Sequence, residues 1–412
     1  MLNTEYYPLT IVNLLLLGLN HHAAPVNVRE RLAVTPNHLP DVLRALRDAP
    51  GVGEAAIVAT CNRFEVYAAV DDAAARHAAM VEALAAARGL SACDFAQFAC
   101  HLTTRAGADA ARHLFRVAAG LDSLLVGEHQ ILGQVKDALQ IAQDAGTLGD
   151  ALGGLFQRAI SAGKRARTET AIGDGARSLG QVAVSLARET LGDLNDHTAL
   201  LIGVGKINKL AGRALIESGL RWLLVANRTF ERAVAVAQSL GGRAVHFDAL
   251  AQGLADADVV IVATGAPHIV LRETDVRAAM ARRAARPLVI IDLAVPRNVA
   301  PNARAIENVR VYDMDDLSAV VATHHPVAAP AIAAAEAIVA QEVAAFLEWQ
   351  REREIAPRII ALRAQAEEIR QAEVQKWCAR VALTPEQQRA LDALAASLTN
   401  KLLYAAANAL RN

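Results

Sequence analysis

The chain has 412 residues, 53% of them hydrophobic and 21% charged, with 42 basic side chains against 43 acidic ones. That length exceeds what a single hydrophobic core organises, so two or three domains are expected in a soluble globular protein. A formal net charge of −1 excludes broad electrostatic coating of nucleic acid or membrane, though not a local basic face.

The first segment, MLNTEYYPLT, carries no basic leader region, and IVNLLLLGL is too short to span a bilayer. It reads as a buried strand, and the protein as cytoplasmic with no membrane partner. LLLLGL, AAIVAT and EVYAAV are short strands that alternate with amphipathic stretches such as 72–88, which is an α+β pattern. Four cysteines, Cys61, Cys93, Cys100 and Cys378, show neither CxxC nor Cys/His zinc spacing. No metal is expected, and a reducing compartment fits better than a disulfide framework.

One cysteine stands out. In VATCNRFEVYA (58–68), Cys61 follows a strand and sits among Thr60, Asn62, Arg63 and Glu65. A lone cysteine is more often a small buried hydrophobe than a nucleophile. Here Arg63 offers a cation that would lower a thiolate pKa or hold a carboxylate, and Thr60 and Asn62 offer donors to an anionic intermediate. Both readings stay open at this point.

A second polar cluster lies in RHLFRVAAGLDSLLVGEHQILGQVKDAL (112–139). His113 is a base or a core histidine. Ser123, Glu128, His129, Gln130 and Gln134 are closely set for a helix exterior, and by composition they form a substrate wall or part of the packing. GKRARTETAIGDGAR, with Lys164, Arg165, Arg167 and Arg177, is the densest basic stretch of the first half. It is either a phosphate-contacting patch or a solvated helix end.

From about residue 198 the pattern becomes strand, glycine turn, helix, strand, as in TALLIGVGKINKLAGRAL running into RWLLVANRT. Nearly continuous apolar strands alternating with helices predict a parallel, doubly wound sheet. Gly203, Val204, Gly205, Lys206, Ile207 and Asn208 form a GxG turn that opens a helix, a place where backbone amides receive a pyrophosphate. Asn208 stands where the full fingerprint has its third glycine. Asn227, Arg228 and Thr229 end the next strand, where an NAD site would carry a carboxylate. Their donors and cation suit the 2′-phosphate of NADPH.

The last 80 or so residues read as long helices, with a stop near Pro357 and a capping box at TPEQ (384–387). Leu391, Leu394, Leu398 and Leu402 share one face of the final helix, which suits packing on another helix or another subunit.

Taken together, GLNHHAAPVNVRERLA, ATCNRFEVYA, the 112–139 segment, GKRARTETAIG, VANRTFERA and IDLAVPRNVAP resemble the glutamyl-tRNA reductase family, in order and over about residues 16–317. The resemblance implies an N-terminal α+β catalytic, glutamyl-binding domain (1–170), a Rossmann-like NADPH-binding domain with a parallel sheet (171–316) and an all-helical dimerisation domain (317–412). It implies reduction of glutamyl-tRNA(Glu) to glutamate-1-semialdehyde by NADPH, a homodimer through the C-terminal helices, and partnership with glutamate-1-semialdehyde aminomutase. Carried over by position, it makes Cys61 the nucleophile and His113 a histidine needed for activity. Thr60, Asn62, Arg63, Ser123, Glu128, His129, Gln130 and Gln134 become the glutamyl pocket, and Gly203 to Asn208 the nucleotide loop. Lys206, Ala24 and Gln181 depart from the family's commoner residues. A competing reading, an NADP-dependent dehydrogenase of a small acid, accounts for the GxG loop and NRT but leaves Cys61 and the 112–139 segment unexplained.

Overall fold

The computed structural model describes residues 13–91, 98, 100–128, 130–173, 179–324 and 329–411. They divide between two compact units, the break falling after Val343. His129, Arg177 and Cys93 lie outside the described residues.

The first unit begins with β1 (Asn13–Asn20), whose leucines 14 to 17 and 19 are at most 2% exposed. Its apolar run covers both faces because β1 is an inner strand: the sheet order is β2 (Val52–Ala59), β3 (Arg63–Val70), β1, β4 (Thr103–Ala106), antiparallel throughout. Helices α3 (Ala73–Ala87) and α4 (Gly107–Ala119) pack against β1. Gly18 is required where β1 passes β3, since a Cβ there would stand 2.7 Å from the Cα of Glu65. Between β1 and β2 come α1 (Val26–Leu32) and α2 (Leu39–Arg47), and after the sheet come α5 (Gln130–Asp144) and α6 (Asp150–Glu169). Glu54 of β2 accepts from the amides of Ala151 and Leu152 at 3.0 and 2.7 Å, which satisfies the open N-terminus of α6.

After α7 (Leu179–Leu191) the chain builds the expected parallel sheet. Its strands are β5 (Thr198–Ile202), β6 (Trp222–Ala226), β7 (Arg243–Val245), β8 (Val259–Val262), β9 (Leu288–Asp292) and β10 (Val309–Tyr312). The order is β10-β9-β8-β5-β6-β7, every pairing parallel. Chain direction across the sheet reverses at β5, so a crevice opens between the ends of β5 and β8. Helices α8 (Lys206–Glu217), α9 (Phe230–Ser239), α10 (Leu250–Asp256) and α11 (Glu273–Met280) are the crossovers, and α12 (Met314–His324) follows the last strand.

Helix α13 (Ala329–Arg380) starts in the first unit. By length and composition it is apolar enough over one window to cross a membrane. Ala331, Ala335, Ile338, Val339 and Val343 recur at helical spacing and are all buried, and Arg116 and Arg165 bind Glu336 and Glu342 on the same stretch. The apolar start of α13 is therefore core packing. The stop expected near Pro357 does not occur, because α13 runs through it. Pro357 and its neighbours Ala356 and Arg358 are exposed, so the one ladder bond that proline cannot make is lost on a solvent-facing stretch.

In the second unit α14 (Pro385–Arg411) begins with the expected capping box. The Thr384 amide donates to Gln387 Oε1 at 2.9 Å, and the Gln387 amide donates to Thr384 Oγ1 at 3.3 Å. Leu398 and Leu402 remain 54% and 72% exposed. They border a groove of about 480 Å³ shared with Leu362, Ile369 and Trp377.

Candidate active site

Cys61 sits in the three-residue connection between β2 and β3. The Thr60 hydroxyl accepts from the amides of Asn62 and Arg63 at 3.1 and 3.2 Å, which ties the turn tightly. Thr60 thus shapes the turn from within. Cys61 is free and half-buried, and it packs against the hydrophobic core of the parallel-sheet half that includes Leu293.

The surroundings of Cys61 correct one expectation. Burial, followed by the nearby charge of Glu128, pushes its thiol up to about 11, against the opposing influence of Arg29 and Arg63. Arg63 acts in the expected direction but is outweighed by burial, and its guanidinium is engaged elsewhere. Nη1 meets Glu65 Oε1 at 2.8 Å and Asp122 Oδ2 at 3.0 Å, and Nη2 donates to the backbone carbonyl of Asp122. Its fork is therefore occupied by the protein's own carboxylates.

Behind that pair lies His113, 6% exposed on α4. Its Nε2 stands 2.8 Å from Glu65 Oε1, and Tyr67 donates to Glu65 Oε2 at 3.0 Å. Although burial opposes the charged form, Arg63 and His113 hold the Glu65 carboxyl at about 2. His113, expected as a catalytic residue, faces Glu65 and is not among the residues lining the cavity at Cys61. The reason is packing: the buried face of α4 that carries His113 lies on β1.

Cys61 opens into a cavity of about 420 Å³. Gln130, Gly133, Gln134 and Asp137 of α5 form one wall; Gly205, Lys206, Ile207, Ala263 to Gly265 and Leu293 to Val295 form the other. The cysteine turn and the glycine loop therefore share one space. Glu128 precedes α5, and burial raises its carboxyl to about 7, against the pull of Arg167 and Arg63. Arg167 Nη2 also donates to the Glu128 carbonyl at 3.1 Å. Ser123 is buried with no partner for its hydroxyl among the described residues. A buried polar atom without a partner marks a place for a bound group.

The crevice between β5 and β8 holds a larger cavity of about 850 Å³, lined by Gly203 to Gly205, Asn227 to Thr229 and Arg232 among others. Gly203 has φ +101°, and a Cβ there would strike the carbonyl oxygen of Ala263. Gly205 begins α8, leaving its first amides open to an anion. These features fit a dinucleotide: a side-chain-free approach, a helix N-terminus and the three arginines Arg228, Arg232 and Arg272. Asn208 does not line this cavity. It is fully buried, and its amide donates to the carbonyls of Ile202 and Gly203 at 2.7 and 2.9 Å, so it braces the loop from behind where a third glycine would let helix and strand close up.

Family models match in three consecutive pieces. The glutamyl-tRNA reductase N-terminal domain matches residues 17–170, shikimate/quinate 5-dehydrogenase 185–320, and the glutamyl-tRNA reductase dimerisation domain 334–412. Glutamyl-tRNA reductase of Geotalea uraniireducens is 41% identical over 394 residues, covering 95% of this chain and 90% of that protein. The chain belongs to the glutamyl-tRNA reductase family. The Moorella thermoacetica glutamyl-tRNA reductase is 42% identical over 389 residues, 94% of this chain and 88% of that one. The solved glutamyl-tRNA reductase from Methanopyrus kandleri is 35% identical, covers 97% of this chain and 98% of its own, and has a TM-score of 0.47.

Within this reductase-family chain most of the expected site residues fall into three groups, with Ser123 and Glu128 lining neither cavity. Cys61, Gln130 and Gln134 share a cavity with Gly205, Lys206 and Ile207; Gly203, Val204 and Asn227 to Thr229 line the larger one; Thr60, Asn62, Arg63, His113 and Asn208 brace these from outside. Two arginines of the basic stretch are engaged within the chain: Arg165 binds Glu169 and Glu342, and Arg167 binds the carbonyls of Gly163 and Glu128. Sequence reasoning missed Arg29, Asp122, Asp137 and Arg232, and placed Arg167 only in the basic stretch. Of these only Arg232 left a signal, one helical turn beyond Arg228.

Proposed function

We propose that this member of the glutamyl-tRNA reductase family reduces glutamyl-tRNA(Glu) to glutamate-1-semialdehyde with NADPH, the first step of five-carbon tetrapyrrole and haem synthesis. It works as a cytoplasmic homodimer joined through the C-terminal helices and hands the labile aldehyde to glutamate-1-semialdehyde aminomutase. The observation that carries this reading is the single cavity onto which both Cys61 and the nucleotide loop open.

Cys61 sulfur attacks the ester carbonyl carbon: the C–S bond forms and the C–O bond to the tRNA ribose breaks. The thiol gives up its proton as the C–S bond forms and the departing ribose oxygen takes one up, so the thioester and the free ribose hydroxyl are both neutral. Gln130 and Gln134 offer side-chain amides to the glutamyl group. When bound, the nicotinamide supplies a hydride, hence two electrons, to the thioester carbon. The resulting alkoxide takes a proton from solvent, the C–S bond then breaks, and Cys61 regains a proton as the aldehyde leaves. Arg228 and Arg232 would hold the 2′-phosphate, and Gly203 and Gly205 would admit the pyrophosphate.

Purified protein given glutamyl-tRNA and NADPH should form aldehyde and oxidise NADPH in equal amounts. Cys61→Ser should fold and lose nearly all of that activity, since a serine hydroxyl without a dedicated base is far less nucleophilic. Acyl transfer to a different residue would overturn the assignment. A second reading, a dehydrogenase of a small acid, draws on the shikimate/quinate dehydrogenase match at 185–320. It requires NADP-linked turnover of a hydroxy acid without tRNA.

A further inference from the structure

Helix α1 is a bridge. On one side, Arg29, 3% exposed, donates through Nη1 to the carbonyl oxygen of Cys61 at 2.8 Å and to Asn62 Oδ1 at 3.0 Å. Its other arm, Nη2, reaches Asp315 Oδ1 at 2.5 Å, at the start of α12. Asp315 also accepts the amide of Val26 at 2.7 Å, so it caps α1 itself. The next residue, Glu30, takes Arg297 in a fork, from Nε at 3.0 Å and Nη2 at 2.8 Å, and accepts the Arg297 amide at 3.2 Å. Arg297 lies in the loop after β9 that also supplies Leu293 to Val295 to the wall of the Cys61 cavity. That loop is itself pinned, because Asp292 accepts the amides of Ala294, Asn298 and Val299.

One seven-residue helix is thus tied to the cysteine turn on one side and to two separate points of the nucleotide-binding half on the other. We propose that the Arg29–Asp315 and Glu30–Arg297 pairs are positioning contacts, holding the Cys61 acyl group at the reach and angle that hydride transfer demands. They thereby decide whether the thioester is reduced or lost to water. This rests on the reading of Cys61 as the nucleophile. Attack on the ester needs only the cysteine turn and the glutamyl pocket. Reduction needs both halves in register, and misplacement by an ångström costs about a hundredfold in rate. Water attacking the same thioester gives glutamate and free thiol, and it needs no such register.

The test uses Asp315→Asn and Glu30→Gln, which leave Arg29 on the Cys61 carbonyl, in the full-length protein with glutamyl-tRNA. Without NADPH, thioester released by hydroxylamine should equal wild type. With saturating NADPH, aldehyde formation should fall at least about tenfold, the ratio of glutamate to aldehyde should rise, and the KM for NADPH should change little. An unchanged ratio, or thioester formation that falls in step with reduction, would overturn the proposal. Absence of thioester in the wild type would instead overturn the role of Cys61, on which the proposal depends.

Discussion

His113 Nε2 and Glu65 Oε1 meet at 2.8 Å across 48 residues of chain, and the same oxygen receives Arg63. Three ionisable side chains, each at most 6% exposed, are thereby locked behind the cysteine turn. Removing one partner of such a set leaves charge buried and uncompensated, which costs about 3–5 kcal/mol. Glu65→Ala should destabilise the first unit by that order in denaturant unfolding at pH 7, and a loss under about 1 kcal/mol would contradict the geometry. The pH sign follows from a carboxyl held at about 2 instead of the usual 4.5. Its contribution is complete above the ordinary range and is lost as pH falls towards 2, so Glu65→Gln should flatten the acid limb of the stability profile.

Glu128 behaves in the opposite sense. Its carboxyl is raised to about 7 by burial, so the folded state binds a proton that the unfolded chain releases between pH 4.5 and 7. Stability therefore declines across that window and levels above it. Glu128→Gln should stabilise the protein at pH 8 by about 1–3 kcal/mol and change little at pH 4. Paired thermal scans at the two pH values measure it; equal shifts would show that the carboxyl titrates normally.

Arg228 and Arg232 both line the larger cavity. Arg228→Ala should weaken NADPH roughly tenfold to a hundredfold, the worth of one charge-assisted hydrogen bond, while leaving NADH nearly unchanged. Adding Arg232→Ala should erase the remaining preference. Direct titration with each dinucleotide decides it, and parallel weakening of both would place the 2′-phosphate elsewhere.

Leu398 and Leu402 stand more than half exposed along a groove of the second unit. Covering a leucine is worth about 1.5–3 kcal/mol, so the double change Leu398→Asp, Leu402→Asp should shift sedimentation from dimer to monomer at micromolar protein. A dimer that persists would move the interface off this face.

Local patterns carried much of this structure, and distant pairings did not. The GxG turn at Gly203 and the apolar run Leu14 to Leu19 are written within a few residues, and both predicted their elements. Cys61 was legible because a polar triplet interrupts two apolar strands. What Arg63 does was not, since its partner Asp122 is 59 residues away. Arg29 and Asp315 are 286 apart, and no periodicity joins such positions. His113 looked like a base because its type is right. Its role as the partner of Glu65 follows from how α4 lands on β1, which is a property of packing. Pro357 misled for a related reason, as the breaking tendency of one residue was outweighed by 52 residues of helix.

The bare Cα of Gly18 bears on how this protein can change over time. A single methyl at that position would push against the backbone of Phe64 and Glu65, and so against the carboxylate that holds both Arg63 and His113. The smallest mutation available to the codon would therefore be felt as a lateral displacement of the neighbouring strand beneath the cysteine turn. Most of β1 can exchange one aliphatic side chain for another, because its neighbours repack. At residue 18 there is no volume to trade, and lineages can drift around that position without passing through it.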